Sequence, residues 1–398
     1  MKLCIILPAY FFPYPLKCGG SQAVFNMIDG LRHDIEITLI FSYKKEEKKY
    51  VEKLKDMWDN VYFFGLEKTL KKTIAKYKKY PVKSIVAITK RIFNGSVFDT
   101  DDLDFAYIDF FCEVLENNNF DIVQTEFYPA MDYVYAIKPQ LKKVFVQLEI
   151  HYIRNERLAS KGISNYENFL MQKNKQEEIA AMNMYDAVIT LTDIDKNILQ
   201  RDGVKIPIYS SPAIASSQNN YKENYEFKNK VIFLASGGHL PNAEGLIWFV
   251  ENIWSLVQRE CPDMQFNIIG NWDRKLYSKY KDINFLGFVE NLEQALDGAI
   301  MVVPLLTGSG MRIKIMDAVN HGCPVITTSV GVEGLDFENE MDCIIEDNAE
   351  LFAKRLCDLI KDEDKQRILR KNAKNTMDKL YSKKALLERR LNAYKGVL

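Results

Sequence analysis

Short aliphatic runs alternate with longer amphipathic stretches along this chain, and no other feature restricts its fold as strongly. The runs have the length of buried strands and the intervening stretches carry apolar positions at helical spacing. That is the pattern of parallel strands joined by crossover helices. Residues 3–7, 35–41, 61–64, 122–125, 144–147 and 187–191 are the predicted strands of a first half. Residues 210–229 break the alternation with Ser, Asn, charge and one proline, and read as a linker too polar to enter a core. The pattern then restarts at 231–235, 265–269, 283–285, 300–304 and 325–328, a second α/β half of similar design. Length agrees, since 398 residues exceed the roughly 250–300 at which a single core stops growing. Residues 361–398 carry no strand signal. There Ile368, Ala373, Met377, Leu380, Leu387 and Leu391 recur at helical spacing among Lys and Arg, predicting one or two helices that pack back across both halves.

Charge and cysteine narrow the class. With 53 Lys and Arg against 54 Asp and Glu, the formal charge of −1 argues against a globally basic nucleic-acid binder. The seven cysteines form no CxxC pair, so neither a disulfide framework nor a zinc site is expected, and a reducing compartment is. The apolar start is cut short by Pro8, too brief for a signal peptide, and no apolar stretch reaches the length of a membrane span. A cytoplasmic protein is expected, at most peripheral on the inner face of the membrane. One local exception stands out: nine Lys and Arg from Lys68 to Arg91 with no Asp or Glu, interleaved with aliphatic and Tyr positions. Such a segment suits an anionic membrane surface or a solvated helical face.

Three places carry residues suited to chemistry. Gly19-Gly20 follows the first strand and precedes a helical pattern, and Gly237-Gly238 repeats the device in the second half. A glycine pair at a helix start admits a phosphate to free N–H groups, or is simply a tight turn. The stretch from Gly308 through Ser309, Gly310, Arg312 and Lys314 to Asp317 follows an apolar strand and opens a helix. Its small residues free backbone amides, Arg312 and Lys314 suit a leaving diphosphate, and Asp317 suits the two hydroxyls of a ribose. A glycine loop with solvated charges is the plain alternative. The four His residues show no metal-ligand spacing, so no metal is expected, and His239 and His321 read as structural or capping residues.

The run from Gly308 through His321-Gly322-Cys323-Pro324-Val325-Ile326 to Gly331-Val332-Glu333-Gly334-Leu335 resembles the donor-nucleotide site of glycosyltransferase family 4, the retaining GT-B transferases. Ser236-Gly237-Gly238-His239-Leu240-Pro241-Asn242, Ile268-Ile269-Gly270 and Asn284-Phe285-Leu286-Gly287-Phe288-Val289 are similar to further blocks of that family's C-terminal domain. Gly19-Gly20 and the segment around His151 match its N-terminal half more loosely. The resemblance implies a GT-B fold of two Rossmann-like α/β domains facing a cleft. Residues 1–209 would bind the acceptor, 210–229 link the domains, 230–375 bind the donor nucleotide, and 376–398 form a helix returning to the first domain.

It also implies roles. His151 would line the donor-sugar pocket and act in catalysis; the family's usual Arg and Lys are not evident near Gly238, so Arg312 and Lys314 stand as the candidates for their catalytic role at the diphosphate. Gly19, Gly20, Gly237, Gly238, Phe288, Val289, Gly308, Ser309, Gly310 and Asp317 would bind the donor, and Glu126, at a strand end, the acceptor. The family's Glu-x7-Glu pair falls on Ser309 and Asp317, so only the second acid is present, shortened to Asp. The implied activity is retaining transfer of a sugar from a nucleoside-diphosphate sugar to a glycan or lipid-linked acceptor, in bacterial cell-surface polysaccharide synthesis and without a cofactor. A GT-B sugar-nucleotide epimerase and a non-catalytic nucleotide-sugar-binding or membrane-scaffold protein are the competing readings.

Overall fold

The structure is a computed structural model, and it describes residues 1–9, 11–16, 19–68, 105–158, 164–214, 221–223, 225–280, 282–308 and 310–398. Two parallel sheets organise it. The first contains β1 (Lys2–Ile6), β2 (Glu36–Lys44), β3 (Val61–Lys68), β4 (Ile122–Glu126), β5 (Lys142–Gln147), β6 (Ala187–Thr190) and β7 (Ile208–Ser210), in the order β3-β2-β1-β4-β5-β6-β7. The second contains β8 (Lys230–Leu234), β9 (Gln265–Ile269), β10 (Asn284–Gly287), β11 (Ala299–Val303), β12 (Val325–Thr327) and β13 (Ile344–Ile345), in the order β10-β9-β8-β11-β12-β13. In each, the chain winds outward from a central strand in one direction and then the other. The crevice beyond the carboxyl ends of the strands, where the winding reverses, is where such sheets take ligands.

The strands form where the sequence is apolar on both faces. β11 reads AIMVV and every one of its residues is buried, as a strand covered by helices on both sides requires. β7 and β13 escape the sequence pattern because three and two residues are too few to show a period.

One expectation changes. Residues 210–229 are not uniformly solvated: Ser211, Ala213 and Ile214 are buried against the first domain. Their backbone polar groups are satisfied there, with Asn26 Nδ2 donating to the Ile214 carbonyl at 2.9 Å and Arg390 to Ser211. After a helix at Ala349–Lys361, residues 361–398 form two helices, within the one or two expected, at Glu363–Leu380 and Lys383–Val397. The last of these crosses back to the first domain, where Leu387 lies over Gly30 and Gly396 against the Tyr209 ring. Its Arg390 and Tyr394 are buried, Tyr394 donating to Gln124 Oε1 at 2.6 Å.

Candidate active site between the two sheets

The loops at the carboxyl ends of β1 and β5 meet those after β8 and β11. Gly19-Gly20 forms the first turn of the helix Gly19–Leu31 and does not merely precede it. A Cβ on Gly19 would lie 4.0 Å from Ile313 of the opposite domain. Gly310, at φ +82°, sits where a Cβ would be 2.5 Å from the Leu148 carbonyl oxygen, so only glycine allows this loop to touch the one after β5.

Lys314 stands in the first turn of the helix Ile313–Asn320, and its Nζ donates to Asn242 Oδ1 at 2.8 Å in the first turn of the helix Leu240–Phe249. It also lies 5.0 Å from the Phe233 ring centroid. Two helix N-termini and a cation therefore converge, an arrangement that favours an anion. The ammonium is enclosed although the residue retains some exposure, and burial, then the nearby Arg312 charge, pushes its pKa down to about 7. Beside it Gly238 is exposed, and a Cβ there would meet nothing within 4 Å, which leaves room for a ligand.

Arg312 is held differently. It is 6% exposed, donates from Nε and Nη2 to the Val330 carbonyl at 3.2 and 3.1 Å, and lies 3.8 Å from Glu333. Glu333 is also gripped by Arg157 of the first domain through paired bonds of 2.7 and 2.8 Å, and Arg157 donates to the Gly308 carbonyl as well. The sequence reading missed Arg157, because nothing local marks a helix arginine as a bridge between domains.

Asp317 is buried, and both its oxygens accept from Gln22 Nε2 across the domain boundary, at 3.1 and 3.2 Å. His321 stands at the end of the same helix, with Nδ1 2.7 Å from the Asp317 carbonyl oxygen. His239 precedes the helix Leu240–Phe249, and its side chain makes no capping bond, which removes the capping alternative; its Nε2 lies 3.8 Å from Glu149. Ser309 lies outside the described residues.

On the first domain, His151 opens the helix His151–Leu158 and stacks on Tyr128, with centroids 4.0 Å apart and planes 11° apart. Tyr128 is aimed there by Phe127, whose φ of 68° and ψ of 152° lie in a region that side chains rarely adopt. Burial, then the Arg154 charge, lowers the His151 pKa to about 4, so the ring is neutral near pH 7. Arg154 Nη2 lies 3.4 Å from Nδ1, which leaves the ring proton on Nε2. Glu178 anchors the helix start by accepting from the backbone N–H of His151 and Tyr152 at 3.2 and 3.1 Å.

Glu126 does not reach the cleft. It is 4% exposed, accepts from Gln124 at 2.6 Å, and lines a small internal cavity with Ala23, Met27, Val146 and Arg390. Burial, opposed by Arg390 and Gln124, pushes it up to about 7. Its place at the end of β4 suggested an acceptor contact, but the C-terminal helix covers that position, which sequence order alone does not reveal. Phe288 is 69% exposed just beyond β10, with Val289 partly buried beside it.

Residues 228–362 match the family model described as Glycosyl transferases group 1. An uncharacterized 44.6 kDa protein in the cps region of Klebsiella pneumoniae is 23% identical over 96% of this chain and 97% of its own. A S. aureus TarM mutant, solved with Fondaparinux, alpha-GlcNAc-glycerol and UDP, superposes with a TM-score of 0.71 at 12% identity, over 99% of this chain and 100% of that one. Anabaena HepE, solved with UDP and glucose, gives a TM-score of 0.65 at 10% identity, over 98% and 99% of the chains. The fold is GT-B. Among the described residues, no helix is long and apolar enough to cross a membrane.

Proposed function

We propose that this protein transfers a sugar, with retention, from a nucleoside-diphosphate sugar to a glycan or lipid-linked acceptor in cell-surface polysaccharide synthesis. The observation that carries the reading is the convergence of Lys314 and two helix N-termini beside the loop that touches the first domain at Leu148. The diphosphate lies against Lys314 and the amides after Gly237 and Gly310, which take up the charge released as the glycosidic bond breaks. Arg312 shapes that loop from within and adds its field. Asp317 binds the ribose hydroxyls by exchanging the two bonds it now accepts from Gln22 for two from the nucleoside. His151 presents its Nε2–H to a sugar hydroxyl.

The cps location of the Klebsiella relative and the UDP in the TarM and HepE structures support the substrate class and pathway. No metal or cofactor takes part in this proposal. Of the basic segment only Lys68 is described, its Nζ donating to the Ala9 carbonyl at 2.5 Å; the rest, through Arg91, lies outside the described residues. Attraction of that segment to anionic lipid would bring the enzyme to a lipid-linked acceptor at the inner membrane face.

The test is a panel of UDP-, GDP- and dTDP-sugars, read first by thermal protection and then by transfer of a radiolabelled sugar. One donor is expected to protect and be turned over, and Asp317→Asn to weaken its binding in calorimetry. Isomerisation of the donor would replace this reading with an epimerase, and binding without turnover with a non-catalytic binder.

A further inference from the structure

Glu149 belongs to none of the roles above, yet it occupies the seam itself. It follows β5 and stands beside Leu148, whose carbonyl packs on Gly310; a Cβ on Gly310 would be 3.9 Å from the Glu149 Cα. One carboxylate oxygen, Oε2, accepts from Arg154 Nη1 at 3.2 Å. The other, Oε1, is shut off from solvent and accepts no hydrogen bond; His239 Nε2 lies 3.8 Å away in the opposite domain. Burial pulls the Glu149 pKa upward, but His239, Arg154 and His151 outweigh it and hold it below the ordinary carboxylate range, so the group is ionised.

An ionised oxygen enclosed without a donor is costly, and native proteins rarely leave one without a functional reason. The missing partner must be a hydrogen-bond donor. A diphosphate offers only acceptors and negative charge, so Glu149 would repel it. A sugar hydroxyl offers a proton. The two charges of the seam thus sort a sugar nucleotide by its own polarity, with phosphate toward Lys314 and hydroxyls toward Glu149. We infer that Glu149, supplied by the first domain, binds a hydroxyl of the transferred sugar and faces the positive charge that develops at its anomeric carbon. This rests on the donor reading above and names the part of the donor that the residue selects.

The experiment compares wild type, Glu149→Gln and Glu149→Ala with two probes: the preferred sugar nucleotide from the panel and the matching free nucleoside diphosphate. Melting temperatures within a few degrees of wild type show that the variants fold. Both variants are expected to bind the free diphosphate within about twofold of wild type. Glu149→Gln should lower kcat about 10²-fold, the size of effect expected when a charge aimed at the transition state is lost. Glu149→Ala should also cut the affinity advantage of the sugar nucleotide over the free diphosphate about tenfold, within the range for an unfilled hydrogen bond to a substrate hydroxyl. Variants that bind and turn over the donor like wild type overturn the inference, as do variants that lose both probes equally, since that is the signature of a seam residue. If wild type binds neither probe, the donor reading itself falls and the inference with it.

Discussion

The depressed pKa of Lys314 makes donor affinity depend on pH in a direction that can be worked out. Its value of about 7 arises because burial and the Arg312 charge disfavour the ammonium. A bound diphosphate reverses that balance and returns the pKa toward the ordinary lysine value of 10.5. Below pH 7 Lys314 is already charged and affinity is flat. Above it, binding must take up a proton, at about 1.4 kcal/mol or a factor of about ten per pH unit. From pH 7, where half the population is already deprotonated, to pH 9 the dissociation constant should therefore rise about 50-fold. His151 does not interfere, because its pKa is held to about 4. Calorimetry of the preferred sugar nucleotide at pH 6, 7, 8 and 9, in buffers of different ionisation enthalpy, measures both affinity and proton uptake. Lys314→Arg keeps its charge throughout and should flatten the profile. Stability without ligand runs the opposite way. The unfolded lysine keeps its proton up to its ordinary value while the folded one loses it near 7, so the unfolded state binds more protons in that window and stability rises with pH. A wild-type affinity flat to pH 9, or an equal slope in Lys314→Arg, would refute the placement of the diphosphate at Lys314.

Three further outcomes follow from the packing. Arg157→Ala removes the paired bonds to Glu333 and the bond to Gly308; with both side chains partly exposed, the loss should be about 1–2 kcal/mol in urea unfolding, with reduced turnover. Gly310→Ala forces a Cβ to 2.5 Å from the Leu148 carbonyl oxygen at a φ of +82°, and should cost about 1–3 kcal/mol, seen as a lower melting temperature; an unchanged one would mean that the loops do not touch. Arg390→Met leaves Ser211 without its donor and Glu126 without a neighbouring cation, an expected loss of about 3 kcal/mol in chemical denaturation. Because Glu126 titrates near 7, that deficit relative to wild type should grow from pH 6 to 8 and lose this dependence when Glu126→Gln is added.

Local hydrophobic patterning was enough to specify the two parallel sheets. β1, β8 and β11 are continuous apolar runs, and hydrophobic patterning is local enough to read from the chain. The sequence also marked the glycine pairs and the Gly308–Asp317 stretch, because close backbone approach and phosphate-binding charge need those residue types at short spacing. What those residues face depends on how the two domains dock. Gln22 meets Asp317, Arg157 meets Glu333 and Glu149 approaches His239 across 295, 176 and 90 positions of sequence, and no periodicity encodes such pairs. The tertiary structure likewise turned Glu126 from a cleft carboxylate into a buried one, since whether a strand-end carboxylate meets solvent depends on a helix more than 250 residues further on. Each strand end is set by its own few residues, whereas a site between two domains exists only once both have folded and docked.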